Sequence, residues 1–173
     1  MFDNEKEITM INKISILIFL IIFTSSTLSQ NTFFDGYVTK IIDGDTVYFQ
    51  AKNDNRYKKL RLVGIDAPEI HQPFGLKSKQ CLGNLINNKP VKIMLFGTDR
   101  YKRTLAKILI EKIDINLAMI KNGCAWFYRR YMNTLNINDQ DIYDQAEIFA
   151  IENEKGLFSN QEAEAPWDWR KKN

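Results

Sequence analysis

Hydrophobic and polar positions alternate with a period of two through the first half of the chain and shift to three-to-four spacing further on. Residues 37–42 and 46–51 are alternating runs on either side of Asp43-Gly44-Asp45, a turn signal that predicts a hairpin. A second polar turn, Asn53-Asp54-Asn55, leads into residues 57–63. There Leu60 and Leu62 flank Arg61, so the arginine is expected on the face opposite the two leucines. Residues 76–87 carry Cys81, Leu82, Leu85 and Ile86 at helical spacing and stop at Asn87-Asn88 before Pro90. Residues 91–96 and 105–110 are apolar runs joined by a basic turn, which reads as a second hairpin. A short helix is predicted over 115–122, with Asp114 as cap and Gly123 as stop. A longer helix over 139–155 has Ile142, Ala146, Phe149 and Ala150 on one face and ends at Gly156. Five strands and three helices predict an α+β fold built on a small closed barrel.

A five-stranded barrel of this size fits the OB-fold, whose exposed face commonly binds nucleic acids or sugars. The 173-residue chain suits one such domain. Its N-terminus is different in kind. Residues 14–23 are apolar except Ser15, follow Lys13 and precede a run of small residues ending at Ser29. This pattern predicts a secretory signal over residues 1–29, cleaved near Ser29 or Gln30, with Met10 as an alternative start. A membrane anchor is the competing reading, but the apolar block is shorter than the roughly 20 residues a span needs. The remainder, residues 30–173, is expected to be a monomer without stable membrane association.

Charge and cysteine content narrow the chemistry. Removing residues 1–29 takes away two lysines and three acidic residues, moving the net charge from +3 to +4. Such a mild positive field favours polyanionic partners. Cys81 and Cys124 are two in number, and export would allow them to pair; two buried small apolar side chains are the alternative. With His71 the lone histidine and no cysteine pair at metal spacing, zinc chemistry is disfavoured, and a Ser-His-Asp hydrolase has a single possible base.

Three segments hold the remaining unusual polar residues: Asp43-Gly44-Asp45-Thr46, Arg61 through Asp66-Ala67-Pro68-Glu69, and Asp99-Arg100-Tyr101-Lys102-Arg103. Singly, each reads as a turn, a stiffened loop or a solvated basic hairpin. Together they supply hard oxygen ligands suited to calcium (Asp45, Asp66, Glu69) and planar forks suited to phosphate (Arg61, Arg103). Phosphodiester hydrolysis needs such a set.

With these motifs, and with Pro73-Phe74-Gly75-Leu76-Lys77-Ser78, Arg103-Thr104-Leu105-Ala106, residues 125–131, Gly156-Leu157-Phe158-Ser159 and Pro166-Trp167-Asp168-Trp169-Arg170 in order, the chain resembles the thermonuclease (staphylococcal nuclease-like) family from about Gly36 to Arg170. The resemblance implies an OB-fold barrel and a Ca2+-dependent endonuclease cutting DNA and RNA to 3′-phosphate ends, with single-stranded or locally melted substrates favoured; the N-terminal signal pattern predicts a secreted or periplasmic location. It implies Asp45 and Asp66 as carboxylate ligands, Ala67 as a carbonyl ligand and Asp43 as an acidic neighbour acting through the metal's surroundings. Glu69 matches the general base, Arg61 and Arg103 the catalytic arginines, Arg100 and Tyr101 the grip on a terminal phosphate, and Tyr131 a nucleotide-flanking tyrosine. Two positions depart from the family pattern. Lys102 stands where glycine is frequent, and Arg129 stands where a second tyrosine is usual, so a phosphate contact is expected there, with Trp126 or Tyr128 compensating for lost stacking. Trp167 and Trp169 are expected to form a C-terminal clasp on the barrel. The competing functional class is a non-catalytic OB-fold module that binds nucleic acid; it would have no use for the carboxylates.

Overall fold

The alternating runs form the strands their pattern predicts, in a computed structural model that describes residues 32–173. The expected export signal, residues 1–29, lies outside the described residues. Strands β1 (Phe33–Ile41), β2 (Thr46–Ala51) and β3 (Tyr57–Leu62) form an antiparallel meander, and β1 also pairs with β4 (Pro90–Thr98), which turns back into β5 (Thr104–Ile110). A parallel pairing of β3 with β5, with Leu60 opposite Thr104 and Leu62 opposite Ala106, closes the five strands into an OB-fold barrel. Val47, Phe49, Leu60, Leu62, Ile93, Ala106 and Ile108 fill it.

The closure is sealed by one polar side chain. Asn116 is fully buried at the start of helix α2 (Ile115–Lys121), donates to the carbonyls of Val63 and Ala106, and accepts from the Ile108 N–H. All of its polar atoms are therefore partnered in the interior, as burial requires. Asp114 caps α2 as expected by accepting from the Leu117 N–H, and it also receives the Lys107 ammonium and the Tyr143 hydroxyl.

Helix α1 (Gly75–Ile86) packs beside β1, and a disulfide joins its Cys81 to Cys124, resolving the alternatives in favour of pairing. The segment beyond Cys124 forms a two-residue strand, Trp126–Phe127, that pairs with Ile65–Asp66. Helix α3 (Ile137–Glu152) begins two residues earlier than expected because Asn136 caps it. Its buried face also differs. Tyr143, Ala146, Glu147 and Ala150 face inward, while Ile142 and Phe149 stay about two-fifths exposed. Polar partners explain the rotation: the Tyr143 hydroxyl reaches Asp114, and the Glu147 carboxylate accepts the Phe127 N–H. Among the described residues one α-helix adds to the three expected. A fourth, α4 (Pro166–Lys172), starts at a proline suited to a first helical turn.

The disulfide closes a loop between residues separated by 43 positions. Replacing both cysteines by alanine is expected to lower unfolding free energy by about 3–4 kcal/mol, read from denaturant melts.

Candidate active site

A cleft of about 540 Å³ opens where the β1–β2 turn, the exit of β3 and the β4–β5 turn meet. Backbone geometry brings each acidic group there. Gly44 is buried in the first turn: a Cβ on it would lie 1.9 Å from the Ser78 hydroxyl of α1. Only glycine allows that approach. Asp43 then accepts the Asp45 N–H at 2.9 Å, and Asp45 turns inward, accepting from Thr46 at 2.9 Å and from the Ala67 N–H at 2.7 Å. Asp66 is buried through the short pairing with Trp126.

Arg61 leaves β3 on the face opposite Leu60 and Leu62, as its alternation requires, but that face is the cleft floor rather than solvent. Its Nη1 donates to the carbonyls of Leu62 and Ile65, both at 2.8 Å. Its Nη2 lies 2.8 Å from Asp66 and 3.0 Å from Asp45. With four anchors its guanidinium is fixed before any ligand arrives, which is what electrostatic preorganisation requires. Burial is the largest influence on Asp45. Arg61 and the Ala67 N–H pull the other way, yet burial, Asp43 and Asp66 prevail and push its carboxyl up to about 8.

The parallel closure delivers the second arginine. Because Leu60 faces Thr104, Arg103 enters the cleft just ahead of β5, beside Arg61. Asp99 organises the turn before it by accepting the N–H groups of Tyr101 and Arg103 and pairing with the Arg103 Nε at 2.6 Å. Partial burial pushes the Asp99 carboxyl up, but these contacts outweigh it and hold the group below its ordinary value. Lys102 has φ of 60°, the left-handed backbone that glycine favours, at a cost of about 1–2 kcal/mol. The turn keeps its shape nonetheless. Arg100 and Tyr101 line the cleft mouth, with the Arg100 and Arg103 guanidiniums over the Tyr101 ring at 4.8 and 5.4 Å.

Thus Asp43, Asp45, Asp66, Ala67, Glu69, Arg61, Arg100, Tyr101, Arg103 and Tyr131 all line one cleft, and Arg129 does not. The Arg129 guanidinium turns to Asp144 and Glu147 of α3, so its charge is engaged outside the cleft. The carboxylate of Glu147 is buried and draws the nearest cation inward. The 3-10 turn at Arg129–Thr134 then presents Arg130 and Tyr131 to the cleft instead. His71 is exposed in a loop outside it.

Sequence reasoning missed the far wall. Trp167, Arg170 and Lys171 of α4 line the cleft together with Tyr128, whose ring stacks on Trp167 at 5.4 Å and 5°. Their spacing of three and four places them on one helix face, the one signal that could have found them. Trp167 does clasp the barrel, packing edge-on against Trp126, while also forming cleft wall.

The carboxylates of Asp43, Asp45, Asp66 and Glu69 outnumber the guanidiniums set among them, Arg61 and Arg170, since Arg103 is engaged by Asp99. All are hard oxygen donors. Among the described residues no three or more histidine, cysteine, aspartate or glutamate side chains are grouped closely enough to hold a metal ion by themselves. Hard oxygen donors are the ligand type that calcium takes, and carbonyls and water can complete its shell.

A barrel whose open face gathers a carboxylate cluster and several guanidiniums between aromatic walls suits phosphate-ester chemistry. Comparison with known proteins agrees: the model of the family described as staphylococcal nuclease homologue matches residues 59–160. An uncharacterized endonuclease of Haemophilus influenzae is 40% identical over 157 residues, covering 91% of this chain and 83% of the relative. A micrococcal nuclease of Shigella flexneri is 33% identical over 147 residues, covering 80% and 81%. An uncharacterized endonuclease of Escherichia coli O157:H7 is 31% identical over 136 residues, covering 78% and 84%. The chain belongs to the staphylococcal nuclease homologue family and is a nuclease, a hydrolase of phosphodiester bonds.

Two outcomes test this geometry. Folding favours protonated Asp45, so that stabilisation is complete below the carboxylate's unfolded value of 3.8 and lost as pH rises through about 8. In chelator, melting temperature should fall across this range, and Asp45→Asn should flatten the slope. Arg129→Ala should lower stability by about 1–3 kcal/mol through the stranded Glu147, while turnover of DNA stays near wild type.

Proposed function

We propose that this nuclease is a secreted, calcium-dependent endonuclease that cuts DNA and RNA and leaves 3′-phosphate ends. The observation that carries the reading is the shared cleft. Asp45, Asp66 and Glu69 meet Arg61 and Arg103 there, although they come from remote stretches of chain. Calcium would be held by the carboxylates of Asp45 and Asp66 and the carbonyl of Ala67, with Asp43 supporting Asp45 from behind. When bound, the ion supplies positive charge that polarises the scissile phosphate.

The protein's own groups do the rest. Arg61, already fixed by two carbonyls and two carboxylates, binds a phosphate oxygen without reorganising. Glu69 stands at the rim, about two-fifths exposed, where it can accept a proton from water. That water attacks phosphorus, a new P–O bond forms as the bond to the 5′ oxygen breaks, and Arg103 stabilises the charge gathering on the phosphoryl oxygens and leaving group. Arg100 and Tyr101 at the mouth grip a neighbouring phosphate. Tyr131 flanks the nucleotide, and Arg130 takes the role expected of Arg129. A cleft walled by aromatic and basic side chains favours a single strand or a locally melted duplex.

The export reading is supported by the Cys81–Cys124 disulfide, since such bonds persist in oxidising compartments.

Turnover on single-stranded DNA is expected to fall about 100- to 1000-fold for Arg61→Ala, for Arg103→Ala and for Glu69→Gln. Activity should vanish on chelation and return with calcium. Near wild-type rates for both Arg61→Ala and Glu69→Gln would end this mechanism, and activity indifferent to chelation would remove the metal from it.

A further inference from the structure

The C-terminal helix brings a third guanidinium into the carboxylate cluster. Arg170 Nη2 lies 2.6 Å from Asp66 Oδ2, and its Nη1 lies 3.3 Å from Asp66 Oδ1 and 2.7 Å from Glu69 Oε1. One planar fork thus bridges the two carboxylates.

Several contacts bring Arg170 there. Gln72 accepts the Glu69 N–H at 3.1 Å and donates to the Glu164 carbonyl at 2.6 Å, so one side chain ties the Glu69 loop to the segment that leads into α4. Ala165 and Pro166 are buried, and Trp167 is stacked flat on Tyr128. These contacts fix the helix start and aim the residue one turn later at Asp66.

The consequence follows from counting oxygens. Asp66 Oδ1 holds Arg61 and Arg170, and Asp66 Oδ2 holds Arg170. A dication ligated through Asp66 would share a carboxylate oxygen with a guanidinium already bound there, and the two positive charges would repel across it. Arg61 is buried and has two backbone carbonyls as further anchors. Arg170 sits on the last turn of a short helix with its side chain 40% exposed. Of the two, Arg170 is the one that can yield.

We propose that Arg170 is a positioning residue of the active site, a resident cation that holds Asp66 and Glu69 in the metal-free protein and competes with the divalent ion for Asp66. This rests on the calcium reading above. With the site filled, the Arg170 fork would leave Asp66 and stay on Glu69, so occupancy of the metal site and the seating of α4 would be linked. An arginine with a merely structural role would act with the opposite sign, since its loss would loosen the site and weaken calcium binding.

The test is calorimetric titration of the purified protein with calcium, for wild type, Arg170→Gln, Arg170→Lys and Asp66→Asn. Arg170→Gln should bind calcium about tenfold more tightly, because a competing charge beside the ion is gone. Arg170→Lys, which keeps the charge, should stay within about threefold of wild type. In chelator Arg170→Gln should melt below wild type, and saturating calcium should close the gap. The three tryptophans, Trp126, Trp167 and Trp169, lie on α4 or against it. Wild-type emission should therefore change during a calcium titration, a readout that needs no variant to fold. Unchanged or weaker calcium binding by Arg170→Gln would overturn the proposal. So would wild-type emission that stays constant while calorimetry shows the site filling. If wild type binds calcium, Asp66→Asn does not, and Arg170→Gln equals wild type, this inference alone fails. If wild type takes up no calcium, the metal reading falls with it.

Discussion

The parallel seam between β3 and β5 is the contact on which the site depends. It is only three residue pairs long, Leu60 with Thr104, Arg61 with Leu105 and Leu62 with Ala106. Parallel neighbours need a long crossover, and here α1 and β4 supply it. The seam then continues through the Val63 N–H, which donates to the Ala106 carbonyl, and through Asn116, whose buried amide binds both ends of the junction. Opening it would separate Arg61 from Arg103 and expose the leucines beneath. Barrel integrity and the spacing of the two arginines are therefore one property.

Around that seam the protein concentrates charge where folding alone would avoid it. Asp45 and Asp66 are buried within reach of each other and share Arg61. Buried ion pairs rarely stabilise more than well-packed apolar groups would, so their presence here points to function. The same is true of the left-handed backbone at Lys102, whose strain the Asp99 contacts over-determine. The stabilising counterweight lies in the apolar barrel and in the disulfide beside the Asp66 strand pair.

Much of the site was legible because local rules governed it. A period of two put Arg61 opposite Leu60 and Leu62, and an Asp-Gly-Asp turn put Asp45 at a strand junction. The misreadings arose where one residue's orientation depended on a distant partner. On α3 the apolar spacing favoured Ile142 and Phe149 as the inner face, but the hydrogen bonds of Tyr143 and Glu147 turned the helix. That rotation placed the Glu147 carboxylate under Arg129 and drew it away from the cleft, leaving Arg130 as its basic neighbour there. Arg170 was hidden for a related reason. Its segment contains two tryptophans, which read as packing, and nothing nearby in sequence indicates that Asp66 and Glu69 lie within reach.

The chain by itself determined the order of the five barrel strands and the first three helices, the turns that carry Asp43, Asp45 and Arg103, and the stock of hard oxygens and guanidiniums, because these follow from periodicity, turn chemistry and composition. Only the tertiary structure decided which arginines share a cleft, that Cys81 meets Cys124, and that the last helix closes over the carboxylates. Those outcomes depend on barrel closure and on buried charges finding partners far along the chain, and neither is encoded in any local pattern.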